Sequence, residues 1–139
     1  MSGATRYLVD TNVLLRFLSG EPAPQAAAAR KLFLRAHSGE VVLDVSPVIV
    51  AETFYTLVSF YGVERKAAAE KLSVLLQQRG VKLREENQVL AALERLQTAR
   101  VGFADVFLAA CAAEEGVSVA SFDRDFDKFE GVSRYEPSV

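Results

Sequence analysis

The sequence predicts an α/β fold in which a parallel sheet is covered by helices on both faces. Three observations predict it. Short apolar runs alternate with helical stretches along the chain. Those runs lack the strict in-and-out alternation of a half-exposed strand. Glycine or proline marks most of the junctions between elements. The chain of 139 residues fits one compact domain spanning residues 1–139, with no internal repeat, low-complexity tract or interdomain linker.

Tyr7-Leu8-Val9 reads as a short buried strand. From Thr11 to about Ser19 the spacing is helical, with Val13, Leu14, Phe17 and Leu18 on one side. Gly20 and Pro22 punctuate it, and Pro24 suits the start of an alanine-rich helix that runs to about His37. Ser38-Gly39 ends that helix, and Val41 to Val45 forms a second strand. Ser46-Pro47 supplies a cap and a first-turn proline for a helix reaching about Tyr61, closed by Gly62. Glu64 to Gln78 is amphipathic and stops at Gly80.

Val81 to Leu83 is a third strand, and Glu85 to Thr98 a further helix. Gly102 interrupts, and Ala104 to Glu115 makes a very apolar helix that Gly116 terminates. Val117 to Ala120 is a strand, Asp123 to Phe129 a short helix, and Val132 to Tyr135 a final strand or strand-like tail.

Composition narrows the function classes. Half of the residues are apolar and 24% are charged, which suits a packed core and argues against disorder. No apolar run approaches the ~20 residues of a membrane helix, and the stretch before Asp10 is too short for a secretory core. The expectation is a soluble, cytoplasmic protein without a membrane partner. Cys111, the single cysteine, excludes an internal disulfide and reads as a small packed hydrophobe. The net charge of −2 does not advertise nucleic-acid binding, but a cluster of acids would hide in that sum.

Four acids stand out. Ligands of open parallel sheets bind beyond the carboxyl ends of the strands. Asp10 follows the first strand and Asp123 the fourth, so both are expected at one edge of the sheet. Helix capping accounts for either of them alone equally well. Glu52 lies within Val48-Ile49-Val50-Ala51-Glu52-Thr53-Phe54-Tyr55, and no lysine or arginine occurs between Arg35 and Arg65. A buried carboxylate without a cation is normally paired otherwise or bound to metal. Asp105 heads an equally apolar run, where its alternative role is to favour the helix N-terminus. Grouped carboxylates suit hard cations such as magnesium or manganese, which activate water and neutralise a phosphodiester.

Other chemistries are poorly served. His37, the one histidine, reads as a helix-end residue, and with Cys111 it cannot build a usual zinc site. The phosphate-binding glycine loops and the nucleophile elbow of hydrolases are missing from the sequence.

The segments that carry these acids resemble, in order, the four motifs of PIN-domain nucleases. They are Leu8-Val9-Asp10-Thr11-Asn12-Val13-Leu14-Leu15; Ser46-Pro47 with Ala51-Glu52; Gly102-Phe103-Ala104-Asp105 with Leu108-Ala109-Ala110; and Val119-Ala120-Ser121-Phe122-Asp123-Arg124-Asp125-Phe126. Size and the compact ending are most similar to the VapC-type toxins of toxin–antitoxin pairs. The resemblance implies a three-layer α/β/α sandwich around a central, mostly parallel sheet. It also implies a magnesium- or manganese-dependent endoribonuclease that leaves 5′-phosphate and 3′-hydroxyl ends. An antitoxin would block the site, and the toxin would be a homodimer.

By that resemblance Asp10, Asp105 and Asp123 would hold metal, and Glu52 would complete the catalytic set. Ser121 would position a water or a metal ligand, and Thr11 and Asn12 would order the loop around Asp10. Asp125 and Asp127 follow closely enough to share the role of Asp123. Arg16, Arg100, Arg124 and Lys128 are candidate phosphate contacts for an RNA substrate, with ordinary solvated charge as the alternative. Phe17, Phe54, Tyr55, Phe60 and Tyr61 exceed what one core face requires, so some are expected to line a groove for an antitoxin helix or a dimer partner.

Rival readings differ in identifiable residues. A haloacid-dehalogenase-type phosphatase would carry a second aspartate where Asn12 stands, and a receiver-like domain would need an acidic pair near the first strand and a late lysine. A housekeeping RNA-processing nuclease without an antitoxin, and a non-catalytic PIN binding module, share the motifs and stay open.

Overall fold

The structure is a computed structural model that describes residues 3–139. Its elements follow the expected order: β1 (Thr5–Leu8), α1 (Thr11–Ser19), α2 (Ala23–His37), β2 (Val41–Val45), α3 (Pro47–Ser59), α4 (Arg65–Leu76), β3 (Val81–Leu83), α5 (Glu86–Leu96), α6 (Phe103–Glu115), β4 (Val119–Ala120), a 3-10 turn (Arg124–Lys128) and β5 (Arg134–Tyr135). The short helix expected over Asp123–Phe129 is this 3-10 turn, with Asp123 and Phe129 as its caps.

Every strand pair is parallel, as the apolar runs predicted. β1, β2 and β3 form one sheet in that order, with Leu8 opposite Asp44 and Val45 opposite Leu83. β4 and β5 form a second, two-stranded sheet. The five parallel strands expected in one central sheet therefore form two sheets.

That division corrects the expectation for the first strand. β1 pairs only with β2, so it is an edge, and all four of its residues are exposed; Leu8 is 71% accessible. Val9, just past the strand, is the buried residue, and its N–H donates to the Asp44 carbonyl at 3.0 Å.

β2 is the spine of the core. Val41, Leu43 and Val45 are buried, as alternate residues of a strand lying on one face must be, and α2 packs against this strand. α1 rests on α2 and α3, α3 on α4 and α6, and α5 on α4 and α6. Burial of the large apolar residues drives this assembly.

Asp44 points off the opposite face of β2 and is only 3% exposed. Arg6 holds it with two hydrogen bonds, at 2.9 and 2.7 Å, and Arg84 with one at 3.2 Å. Burial pushes its carboxyl up, but the Arg6 and Arg84 guanidiniums outweigh that and keep it below the ordinary carboxylate value. The local sequence does not announce this cluster, whose members lie on β1, on β2 and just past β3.

Gly80 shows why the α4–β3 turn needs glycine. Its φ is +88°, and a Cβ there would lie 2.2 Å from the Ala36 carbonyl oxygen.

Candidate active site

The first carboxylate sits where β1 gives way to α1. Asp10 is the N-cap of α1 with extended backbone, yet its side chain makes no capping hydrogen bond; its carbonyl accepts the Val13 N–H at 3.1 Å. Simple capping therefore does not account for this exposed carboxylate.

Glu52 departs from expectation. The sequence suggested a buried acid without a partner; in the structure it is exposed, and the Thr11 hydroxyl donates to its Oε1. The reason is the orientation of α3. Val50, Thr53, Phe54 and Leu57 are buried, whereas Val48, Glu52, Tyr55 and Ser59 share one exposed stripe at helical spacing. Thr11, expected to order the loop around Asp10, is itself buried and reaches across to α3; Asn12 is exposed.

Asp105 lies half-buried in the first turn of α6, three residues after the Gly102 N-cap. Burial, followed by the negative charges of Asp123 and Asp125, pushes its carboxyl above the ordinary carboxylate value. α6 and the 3-10 turn thus bring three acids within electrostatic reach of one another.

Asp123 realises its capping alternative. Its Oδ1 accepts the Asp125 N–H at 2.9 Å, and its own N–H donates to the Ser121 hydroxyl at 2.9 Å. Ser121 thereby orders the Asp123 turn. The two other acids of this segment separate clearly. Asp125 faces Asp105 electrostatically and takes a 3.3 Å contact from Lys128. Asp127 is turned to Arg134, with contacts at 3.0 and 3.3 Å that hold its carboxyl below the ordinary value.

Asp105 thus feels the charges of Asp123 and Asp125, while Asp10 adjoins Thr11, whose hydroxyl donates to Glu52. Among the described residues, no three His, Cys, Asp or Glu side chains stand close enough to hold a metal ion together. The expectation that Asp10 and Asp123 project at one edge of one sheet is not met, because β1 and β4 belong to separate sheets. The donor chemistry still suits a hard divalent cation. All the candidates are carboxylates, and a cation at Asp105 would relieve the like-charge repulsion that adds to burial in raising it.

Of the cations expected near phosphate, Arg16 is engaged by Gln25 at 2.8 Å and by the Tyr61 hydroxyl at 3.2 Å, and Lys128 by Asp125. Arg100 and Arg124 are exposed. The aromatic residues divide likewise. Phe54 is buried, and Phe17 packs on Phe33 with ring centroids 4.7 Å apart. Tyr55 and Phe60 are exposed, Phe60 by 78%. Among the described residues, no helix is long and apolar enough to cross a membrane.

The family model described as the PIN domain matches residues 7–132, a span that includes all four acids. No curated protein matches the chain. A similar solved structure is the crystal structure of VapBC2 from Rickettsia felis bound to a DNA fragment from their promoter. The two are 15% identical, the match covers 94% of this chain and 98% of that one, and the TM-score is 0.40. With the motif order on the same residues that the family model spans, the chain belongs to the PIN domain family.

Proposed function

We propose that this PIN domain is a divalent-metal-dependent endoribonuclease and the toxin of a type II toxin–antitoxin pair. The observation that carries the nuclease reading is the half-buried Asp105 carboxyl at the start of α6, raised by burial and then by the charges of Asp123 and Asp125. Perturbed carboxyls grouped on adjacent elements mark candidate sites for metal-assisted chemistry. In this reading Asp10, Asp105 and Asp123 hold magnesium or manganese, and the bound ion supplies an activated water. Glu52, oriented by Thr11, completes the acidic set; Ser121 shapes the turn that presents Asp123. Asp125 shares the approach to the ion, whereas Asp127 is committed to Arg134.

The antitoxin reading draws on an apolar groove of about 900 Å³ between α1, α2 and α4, lined by Phe17, Leu18, Phe33, Leu34, Val74 and Leu75. Such a groove accepts the apolar face of an amphipathic helix. The exposed Val48 and Tyr55, seven positions apart on one face of α3, offer a second apolar surface, suited to a homodimer contact.

The test is cleavage of a mixed RNA pool by the purified chain, with and without manganese, beside Asp105→Asn. Metal-dependent cutting that the variant loses supports the nuclease, and addition of a co-encoded antitoxin should suppress it. A non-catalytic binding module is the second reading, favoured because, among the described residues, no three acids stand close enough to hold a metal ion together. RNA retention without cleavage in manganese would select it.

A further inference from the structure

Arg65, the first residue of α4, contacts both α3 and the connection that leads into α6. One of its terminal nitrogens donates to the Ala99 carbonyl at 3.0 Å and to the Val101 carbonyl at 2.5 Å. Its guanidinium carbon lies 5.4 Å from the centroid of the Phe54 ring. Phe54 is buried on α3, two residues from Glu52. Ala99 and Val101 lie in the connection between α5 and α6, just before the Gly102 N-cap and the first turn that carries Asp105.

The backbone around that connection bonds inward on each side. The Ala99 N–H donates to Arg95 at the end of α5, and the Val106 N–H to Gly102 at the start of α6. Arg65 is the side chain that ties down the intervening carbonyls. A planar guanidinium can stack on a ring while its edge donates to two acceptors, which a lysine ammonium cannot reproduce.

We propose that Arg65 is a positioning residue that fixes the start of α6, and with it Asp105, relative to Glu52 on α3. Its second half, the consequence for metal, rests on the nuclease reading. The role requires the guanidinium plane and not merely a positive charge.

The test compares the wild-type chain with Arg65→Lys, Arg65→Met and a core control on β2, Leu43→Val. Two quantities are measured: amide hydrogen exchange by segment, and manganese affinity by calorimetry below the unfolding transition. Both Arg65 variants should exchange residues 99–106 about tenfold faster while α2 and β2 stay protected. Both should bind manganese about 10- to 100-fold more weakly, as loss of a supporting contact does at metal sites. Leu43→Val should do neither. Arg65→Lys matching wild type in both measurements overturns the proposal. So does faster exchange spread evenly over the chain, which a general loss of stability would give. Wild type that binds no manganese refutes the nuclease reading, while the exchange pattern still decides whether Arg65 fixes the start of α6.

Discussion

The hydroxyl of Thr11 donates a hydrogen bond to the Glu52 carboxylate and so joins the first turn of α1 to the middle of α3. Thr11 is buried and Glu52 is exposed, so the contact sits at the boundary between core and solvent. Thr11→Val keeps the shape and removes the donor. It should lower stability by about 1 kcal/mol and reduce RNA cleavage, while Thr11→Ser restores most of both. Denaturant unfolding beside a cleavage assay separates the two effects.

The Asp44 ion pair gives the protein an acid limit. Its folded-state carboxyl lies below the ordinary value of 3.8 because Arg6 and Arg84 outweigh the effect of burial. A carboxyl depressed by folding stabilises above its unfolded-state value, and that contribution disappears as pH falls through the folded-state value. Asp44→Asn should therefore cost about 1–3 kcal/mol near neutral pH. Urea unfolding across the acid range should show the gap between wild type and variant closing below the ordinary value of 3.8.

Asp105 behaves in the opposite sense. Its carboxyl is raised by burial and by Asp123 and Asp125, so the folded chain holds that proton more tightly than the unfolded one. Its contribution is most favourable below the unfolded value of 3.8 and is lost as pH rises through the folded-state value. Asp105→Asn should raise the melting temperature of the metal-free protein at neutral pH while abolishing cleavage, a trade expected at functional sites. Differential scanning calorimetry with and without manganese reads this out.

Gly80→Ala meets both a positive φ and the Ala36 carbonyl. It should destabilise by more than about 2 kcal/mol, and chemical denaturation would detect it. Little loss would mean that the α4–β3 turn and the end of α2 can shift apart.

The order of elements was legible because local rules govern it. Ser46-Pro47 opens α3, Gly116 closes α6 with a left-handed backbone, and the apolar run of β2 is buried as read. What failed depended on pairing between distant segments. Leu8 looked buried, yet β1 has only one neighbour in its sheet. Glu52 looked stranded in apolar sequence, yet α3 turns the stripe that carries it to solvent, and Thr11 supplies a hydroxyl from a residue 41 positions away. Asp44 escaped notice because its partners, Arg6 and Arg84, come into view only once the strand register is known. Asp125 and Asp127 were indistinguishable in sequence; Arg134 on β5 separates them by binding Asp127.

The most direct measurement of the central claim is a calorimetric titration of manganese into the metal-free protein, with Asp105→Asn and Asp127→Asn alongside. A carboxylate site built around Asp105 predicts clear binding by wild type, loss of binding in Asp105→Asn, and near-normal binding in Asp127→Asn, whose carboxylate already belongs to Arg134. No binding by wild type, or undiminished binding by Asp105→Asn, would contradict it.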